Sequence, residues 1–224
     1  MMLSETDRLT LRTLEKEELP RLVQLLGEWD VARWLSVVPF PYTQKDAEDF
    51  YADMKLSADA GQPEFFALAL KTDGLLIGGV GLHPPRNANA LPGEIEIGYW
   101  LGRYYWGRGL ASEAAAAVRD IGFARSETRM LGACTALNNH ASQKVLRKIG
   151  LREQGVVMRD YAALRGENEV MKWALTREEY QRALAQSRLR GACHSPDEQQ
   201  ASDVGTARQV RGVPPSSRAA IRSA

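Results

Sequence analysis

The chain has 224 residues, with 44% hydrophobic and 25% charged side chains, the balance of a globular protein of one domain or two small ones. Its 29 basic and 28 acidic residues leave a net charge of +1, which excludes a nucleic-acid binder working by bulk electrostatics. Two cysteines and three scattered histidines exclude a disulfide scaffold and leave no metal-ligand cluster.

In chain order, Met1–Asp7 has neither a basic n-region nor an apolar h-region, and no apolar run reaches the roughly 18 residues that span a bilayer. The expectation is a cytoplasmic, reducing location with no membrane contact. Alternation around Leu9 and Leu11 predicts a strand over 6–13. Leu19, Leu22, Val23, Leu25 and Leu26 form a helical stripe over 15–27, with Pro20 in the first turns, where proline is tolerated. A second helical piece covers Trp29–Leu35. Pro39 and Pro41 break the chain, and Thr43 caps a helix to about Ala58. Two apolar strands, 64–71 and 74–83, flank Asp73-Gly74, a hairpin signal. A strand over 93–101, a helix over 107–124, a strand over 129–136 and a short helix over 141–149 follow. Strands at 151–159 and 167–175 and a helix over 177–185, capped by Thr176, complete the order.

Residues 1–185 read as one α+β domain built on a mixed, largely antiparallel sheet of about six to seven strands. Residues 186–224 carry six Arg against three acids, with no Lys and no aromatic side chain, and are expected to form a disordered tail.

The stretch Glu94–Glu113, EIEIGYWLGRYYWGRGLASE, runs from a strand through Gly107-x-Gly109 into a helix. Glycines there let the backbone turn, and the first helical N–H groups lack intrahelical partners and carry the positive end of the dipole, an arrangement that suits a phosphate. Ser112 breaks a dinucleotide fingerprint, no Gly-Lys-Ser/Thr is present, and Gly79-Val80-Gly81 lies within a strand pattern without a third glycine. A second stretch, Asn138–Leu151, NNHASQKVLRKIGL, places Val145, Leu146 and Ile149 toward a core, with Asn139 as a cap and Gly150 as a helix-ending glycine.

Together, TDRLTLRTL, GEIEIGYWLG, YYWGRGLASEA and NHASQKVLRKIGL, in that order over residues 6–176, resemble the GCN5-related N-acetyltransferase (GNAT) superfamily, in its branch of ribosomal-protein N-terminal acetyltransferases (RimJ/RimL type). The resemblance implies a GNAT-like sheet with helices on both faces and an enzyme that moves the acetyl group of acetyl-CoA to a primary amine, with no metal. It implies that Trp106, Gly107, Arg108, Gly109, Leu110 and Ala111 surround the pyrophosphate. Trp100, Leu101 and Gly102 then run beside the pantetheine arm, whose amides an unpaired strand edge would pair. Asn139 and Ser142 match the family's Asn-x-x-Ser near the thiol, and Lys148 meets a phosphate. Tyr104, with Arg103 beside it, stands where the family's phosphate motif has Gln or Arg, so side-chain help at that point is missing while the backbone cradle is kept.

An amine attacks a thioester only when neutral, so a base must take its proton. Glu94 and Glu96 share one strand face, and Glu96, just before the Gly98-Tyr99-Trp100 turn, is the first choice, against a solvated acidic strand face. A strand N–H near Leu101 would stabilise the oxyanion. Ser142 would give the leaving thiolate a hydrogen bond, with Tyr161 as the alternative acid or a structural loop tyrosine. Cys134 reads as core, which favours direct transfer without an acyl-enzyme. His140 lies within the second motif and His83 ends a strand beside Pro84 and Pro85. Trp29, Trp34, Phe40 and Tyr42 line the acceptor side or pack helices onto the sheet. The acceptor is a protein N-terminus or a small-molecule amine, nucleic acid is not expected, and an exposed sheet edge would serve a homodimer. A non-catalytic CoA-binding regulatory or interaction module is the alternative.

Overall fold

The computed structural model describes residues 2–59, 65–85 and 90–192. Eight strands form one sheet: β1 (Met2–Glu5), β2 (Leu9–Arg12), β3 (Phe65–Leu70), β4 (Leu76–His83), β5 (Glu94–Leu101), β6 (Met130–Ala136), β7 (Arg152–Tyr161) and β8 (Gly166–Thr176). Their spatial order is β1-β2-β3-β4-β5-β6-β8-β7. Every neighbouring pair is antiparallel except β5–β6, which is parallel. The helices are α1 (Leu19–Leu26), α2 (Trp29–Ala32), α3 (Gln44–Asp59), α4 (Leu110–Ala124), α5 (His140–Lys148) and α6 (Arg177–Ala192). The chain divides into units after Leu184, and the architecture described here is that of Met1–Leu184. No helix among the described residues is long and apolar enough to cross a membrane.

The central strands read as unbroken apolar runs because both sheet faces are covered. In β3, Phe66 and Leu68 join one core with Leu110, Ala114, Val118 and Phe123 of α4 and Leu146 of α5. Their neighbour Ala67 turns to the opposite core, with Leu22, Leu25 and Leu26 of α1, Val31 of α2 and Ala47 of α3. Trp173 of β8 is completely buried, and its indole N–H donates to Thr135 Oγ1 at 2.9 Å, so the large ring enters the core without an orphaned donor. Glycines of β4 permit close packing rather than ligand binding. A Cβ on Gly78 would stand 2.3 Å from the Trp100 carbonyl oxygen, and one on Gly79 would strike the Phe65 ring.

Local signals account for most element ends. Thr43 and Asp46 cap α3, with the Thr43 N–H donating to Asp46 Oδ2 at 2.8 Å. Thr176 and Glu179 cap α6 through reciprocal bonds of 3.0 and 3.2 Å. The Asp73-Gly74 turn has Gly74 at φ +71°, with Asp73 Oδ1 accepting from the Leu75 N–H at 3.0 Å.

Three expectations change. The sheet has eight strands rather than six or seven because Met2–Glu5 pairs with β2 as an outer strand. Helix α4 begins at Leu110 and not at 107, since Gly107 and Gly109 hold positive φ angles that a helix cannot contain. Helix α6 continues through Ala192, past the expected end at Ala185. The rest of the expected tail, 193–224, lies outside the described residues.

Candidate functional site

The parallel pair β5–β6 holds together only from Glu94 to Glu96 against Met130 to Gly132, although β5 continues to Leu101 and β6 to Ala136. Each stays bound to its outer neighbour along that length, β5 to β4 and β6 to β8. The sheet therefore opens into a gap. Gly102 N–H donates to Ile77 O at 2.9 Å, so by the alternation of an antiparallel ladder the main-chain N–H groups of Tyr99 and Leu101 face away from β4 into the gap. A cavity of about 520 Å³ occupies it.

Beyond β5 a short 3-10 turn, Arg103–Tyr105, leads to the glycine loop. Gly107 (φ +78°) and Gly109 (φ +80°) are required by backbone conformation, because a Cβ on Gly107 would meet nothing and one on Gly109 only the Arg8 guanidinium at 3.5 Å. Gly109 caps α4 without a side chain. The main-chain N–H groups from Gly107 to Ala111 make no hydrogen bond among the described residues, whereas the Trp106 N–H donates to Arg103 O at 3.3 Å. The run of free amides thus starts one residue later than the sequence suggests. The Trp106 indole donates to Leu101 O at 2.7 Å and fixes the turn against the strand end.

The loop is held from behind by the opening segment of the chain. Glu113, in the first turn of α4, accepts from the Thr6 hydroxyl at 2.5 Å and from the Arg8 N–H and Nε at 2.8 and 2.7 Å. Arg8 Nη1 also donates to Arg108 O at 2.9 Å. Burial pushes the Glu113 carboxyl up, but the bonds from Thr6 and Arg8 outweigh it and hold the group below the ordinary carboxylate range.

Across the gap, Asn139 caps α5 by accepting the Ser142 N–H at 3.1 Å. The Ser142 hydroxyl lies 2.9 Å from Tyr99 Oη, which also donates to Ser142 O at 3.1 Å. Burial drives the Tyr99 phenol well above its ordinary range, so it stays protonated at neutral pH despite the opposing bond to Ser142. Gln143 donates to Leu137 O at 2.8 Å and clamps the β6–α5 turn. Lys144 and Lys148, one helical turn apart, line the same cavity.

On the opposite sheet face the walls carry charge. Glu96 is buried, not solvated, and its Oε1 accepts from Arg159 Nη2 at 2.8 Å. The same nitrogen lies 3.1 Å from Cys134 Sγ. Burial, then Glu96, pushes the Cys134 thiol up against the pull of Arg159. Tyr161 ends β7 with its ring buried, and burial and Cys134 raise its phenol. His83, Trp34 and Leu35 complete this part of the cavity.

Of the residues singled out in the sequence, Glu96, Trp100, Leu101, Trp106, Gly107, Gly109, Leu110, Ala111, Asn139, Ser142, Lys148 and Tyr161 line this one cavity. Two do not. A Cβ on Gly102 would stand 2.6 Å from Leu25, so that glycine serves helix packing. The Arg108 guanidinium lies over the Tyr104 ring at 4.8 Å, leaving the loop only the residue's backbone. Among the four aromatics, Trp34 lines the cavity, Trp29 and Phe40 pack edge to face at 4.9 Å, and Tyr42 is buried in the α1–α3 core. Tyr99, Lys144 and Arg159 line the cavity without having been singled out. Tyr99 stands inside EIEIGYWLG, where its place on the Ile97–Leu101 face was the available signal.

Residues 8–152 match the family model described as acetyltransferase (GNAT) domain. "Uncharacterized N-acetyltransferase p20" of Bacillus licheniformis is 31% identical over 176 residues, 78% of this chain and 96% of that protein. "Putative ribosomal N-acetyltransferase YdaF" of Bacillus subtilis is 28% identical over 66% of this chain and 80% of its own length. The solved structure of Mycobacterium smegmatis RimJ in complex with CoA-disulfide shares the fold, with a TM-score of 0.61 and 19% identity over 80% of this chain and 90% of that one.

Proposed function

The chain belongs to the GNAT acetyltransferase family, and we propose that the gap between β5 and β6 holds acetyl-CoA while an acceptor amine enters beside Glu96 and Arg159. The chain is an acetyl-CoA-dependent N-acetyltransferase. The single observation that carries the site is the run of unpaired amides from Gly107 to Ala111 at the N-terminus of α4, opening into the gap.

In this reading those amides and the helix dipole take the pyrophosphate, and Lys148, with Lys144 beside it, adds positive charge. The pantetheine arm lies along Trp100 and Leu101 and pairs its amides with the strand groups that lack a partner strand. The thioester then falls between β5 and α5, with the Tyr99–Ser142 pair beside its sulfur. Glu96 receives the acceptor's ammonium, and Arg159 keeps the buried carboxylate paired until it arrives. Once one ammonium proton has passed to a base in the cavity, the amine nitrogen attacks the carbonyl carbon, the C–S bond breaks, the second N–H proton goes to solvent or to the thiolate, and the departing CoA sulfur accepts a hydrogen bond from Ser142 or Tyr99. Tyr161 closes the acceptor wall. The acceptor is a primary amine, on a protein N-terminus or on a small molecule.

Residues 1–185 are taken as the catalytic domain. A cytoplasmic site of action accords with the free thiol of Cys134. A homodimer would meet at β7, one of the sheet's two edge strands, where Val156, Val157 and Met158 stand exposed, and the native mass of the purified chain tests it.

The test is an acceptor screen with acetyl-CoA, read as released thiol, alongside calorimetric CoA binding. Release with N-terminal peptides or with small amines supports the reading and selects the acceptor. CoA binding without release from any amine would leave a non-catalytic module, and absence of CoA binding would remove the site.

A further inference from the structure

The reaction needs a proton acceptor for the incoming ammonium, and the sequence pointed to Glu96. In the structure one carboxylate oxygen of Glu96 is already occupied by Arg159 at 2.8 Å. A different group in the same cavity has an open lone pair. His83 is the last residue of β4 and sits directly opposite Glu96 in the antiparallel register, so both side chains emerge on one sheet face. Its ring lines the cavity.

The ring's tautomer is set by its neighbour. His83 Nδ1 lies 2.9 Å from the Pro84 carbonyl oxygen. A carbonyl can only accept, so Nδ1 carries the hydrogen, and the neutral imidazole leaves Nε2 as a bare acceptor. Nε2 makes no hydrogen bond among the described residues. It overlooks Gly98, where an added Cβ would lie 3.7 Å from it. Gly98 follows Glu96 by two residues on the same face, so glycine keeps clear the space between Nε2 and the point where β5 and β6 part.

We infer that His83 is the catalytic base, taking the acceptor's proton on Nε2 while the Glu96 carboxylate, itself fixed by Arg159, holds the ammonium in place. This rests on the acetyltransferase reading above. The step balances simply. One N–H bond of the ammonium breaks, its proton moves to Nε2 directly or through one water, and imidazolium forms with Nδ1–H still bound to Pro84 O. The freed nitrogen pair attacks the thioester, and the second proton lost on forming the amide leaves with the thiolate or to solvent. Glu96 of β5 stands opposite His83 in the register, and Cys134 of β6 and Arg159 and Tyr161 of β7 line the same cavity. Of these, Glu96 and Arg159 form an ion pair at 2.8 Å.

The test compares the full-length wild type with His83→Gln and His83→Ala, using the amine that gives the fastest thiol release in the screen. Expected are unchanged acetyl-CoA binding by calorimetry, a fall in kcat/KM of about 100-fold, and loss of the acid-side limb of the kcat/KM–pH profile. Added imidazole should restore part of the His83→Ala rate, which a merely structural role would not allow. Nitrogen-15 shifts of the resting protein should report the Nδ1–H tautomer. Variants with normal CoA binding that keep rates within about threefold of wild type and an unaltered pH profile would overturn the assignment while leaving the acetyltransferase reading intact. Wild type inactive toward every amine would defeat both.

Discussion

Tyr99 Oη and Ser142 Oγ meet at 2.9 Å across the opening of the sheet, joining β5 to the first turn of α5 where the two sides of the cavity come nearest to sharing a hydrogen bond. Ser142 alone had the sequence signal, through Asn-x-x-Ser. The phenol that orients it comes from 43 residues upstream.

Because the two hydroxyls act as a unit, their removal should not be additive. Tyr99→Phe and Ser142→Ala are each expected to lower kcat by about tenfold, and the double variant by little more than either. That coupling corresponds to about 1 kcal/mol. Steady-state kinetics on the four proteins measures it, and strictly multiplicative losses would show that the hydroxyls work independently.

Glu113 ties the glycine loop to the start of the chain, so its loss should reach the cofactor. Glu113→Ala frees Thr6 and Arg8, and with them the bond to Arg108 O. Arg8 is half exposed, which keeps the stability cost to about 1 kcal/mol. CoA affinity should drop several-fold as the loop loosens. Thermal unfolding and calorimetry test the two effects separately. A variant with reduced Tm but unchanged CoA affinity would mean that the loop holds its shape without this anchor.

Lys148 lines the cavity, on the side proposed for CoA. Lys148→Gln should weaken CoA binding by about three- to tenfold in low salt and by much less at high ionic strength, because an exposed lysine acts as a screened charge. Binding isotherms at two salt concentrations decide this. A loss independent of salt would point to packing instead.

The pH dependence of stability should have two edges. Burial, with Asp46 nearby, raises the Tyr42 phenol to about 12, and burial raises those of Tyr99 and Tyr161. Above about pH 10 the unfolded chain ionises these groups while the folded chain keeps them protonated, so stability present below that pH is lost as pH rises. For Tyr42 alone the loss approaches 2–3 kcal/mol, an order-of-magnitude figure. At the other edge, burial works against Glu113 and Glu18, but their partners Arg8 and Arg12 keep both carboxyls low. Their contribution is complete above the unfolded carboxylate range near pH 4.3 and disappears as pH falls through the folded values. Denaturant unfolding between pH 3 and 11 follows both edges, and flat stability above pH 10 would contradict the alkaline one.

What the sequence made legible was local. The Asp73-Gly74 turn, the Thr43 and Thr176 caps, the stripe of α1 and the two positive-φ glycines each announce themselves within a few residues. The Asn139 cap followed from such signals, whereas the set Trp106–Ala111 came from the family resemblance, and of it Arg108 stays out of the cavity. Contacts between distant segments were not legible. Glu96 meets Arg159 across 63 residues and Arg8 meets Glu113 across 105, and no periodicity encodes either. Hence Glu96 read equally well as a solvated face, and Arg8 as one residue of the strand expected over 6–13. The role of His83 depends on the tautomer set by Pro84 and on a register with Glu96 that only the assembled sheet displays. Strand β1 was missed because four residues give too short a window for alternation to register.

In the proposed site the amides of Gly107–Ala111 bind the pyrophosphate of CoA. Amide nitrogen-15 spectra during titration with CoA, and separately with pantetheine, probe that contact. The prediction is that the Gly107, Arg108, Gly109, Leu110 and Ala111 N–H signals shift strongly with CoA and stay nearly still with pantetheine, which lacks the phosphates. Saturation by CoA with those five signals unmoved would contradict it.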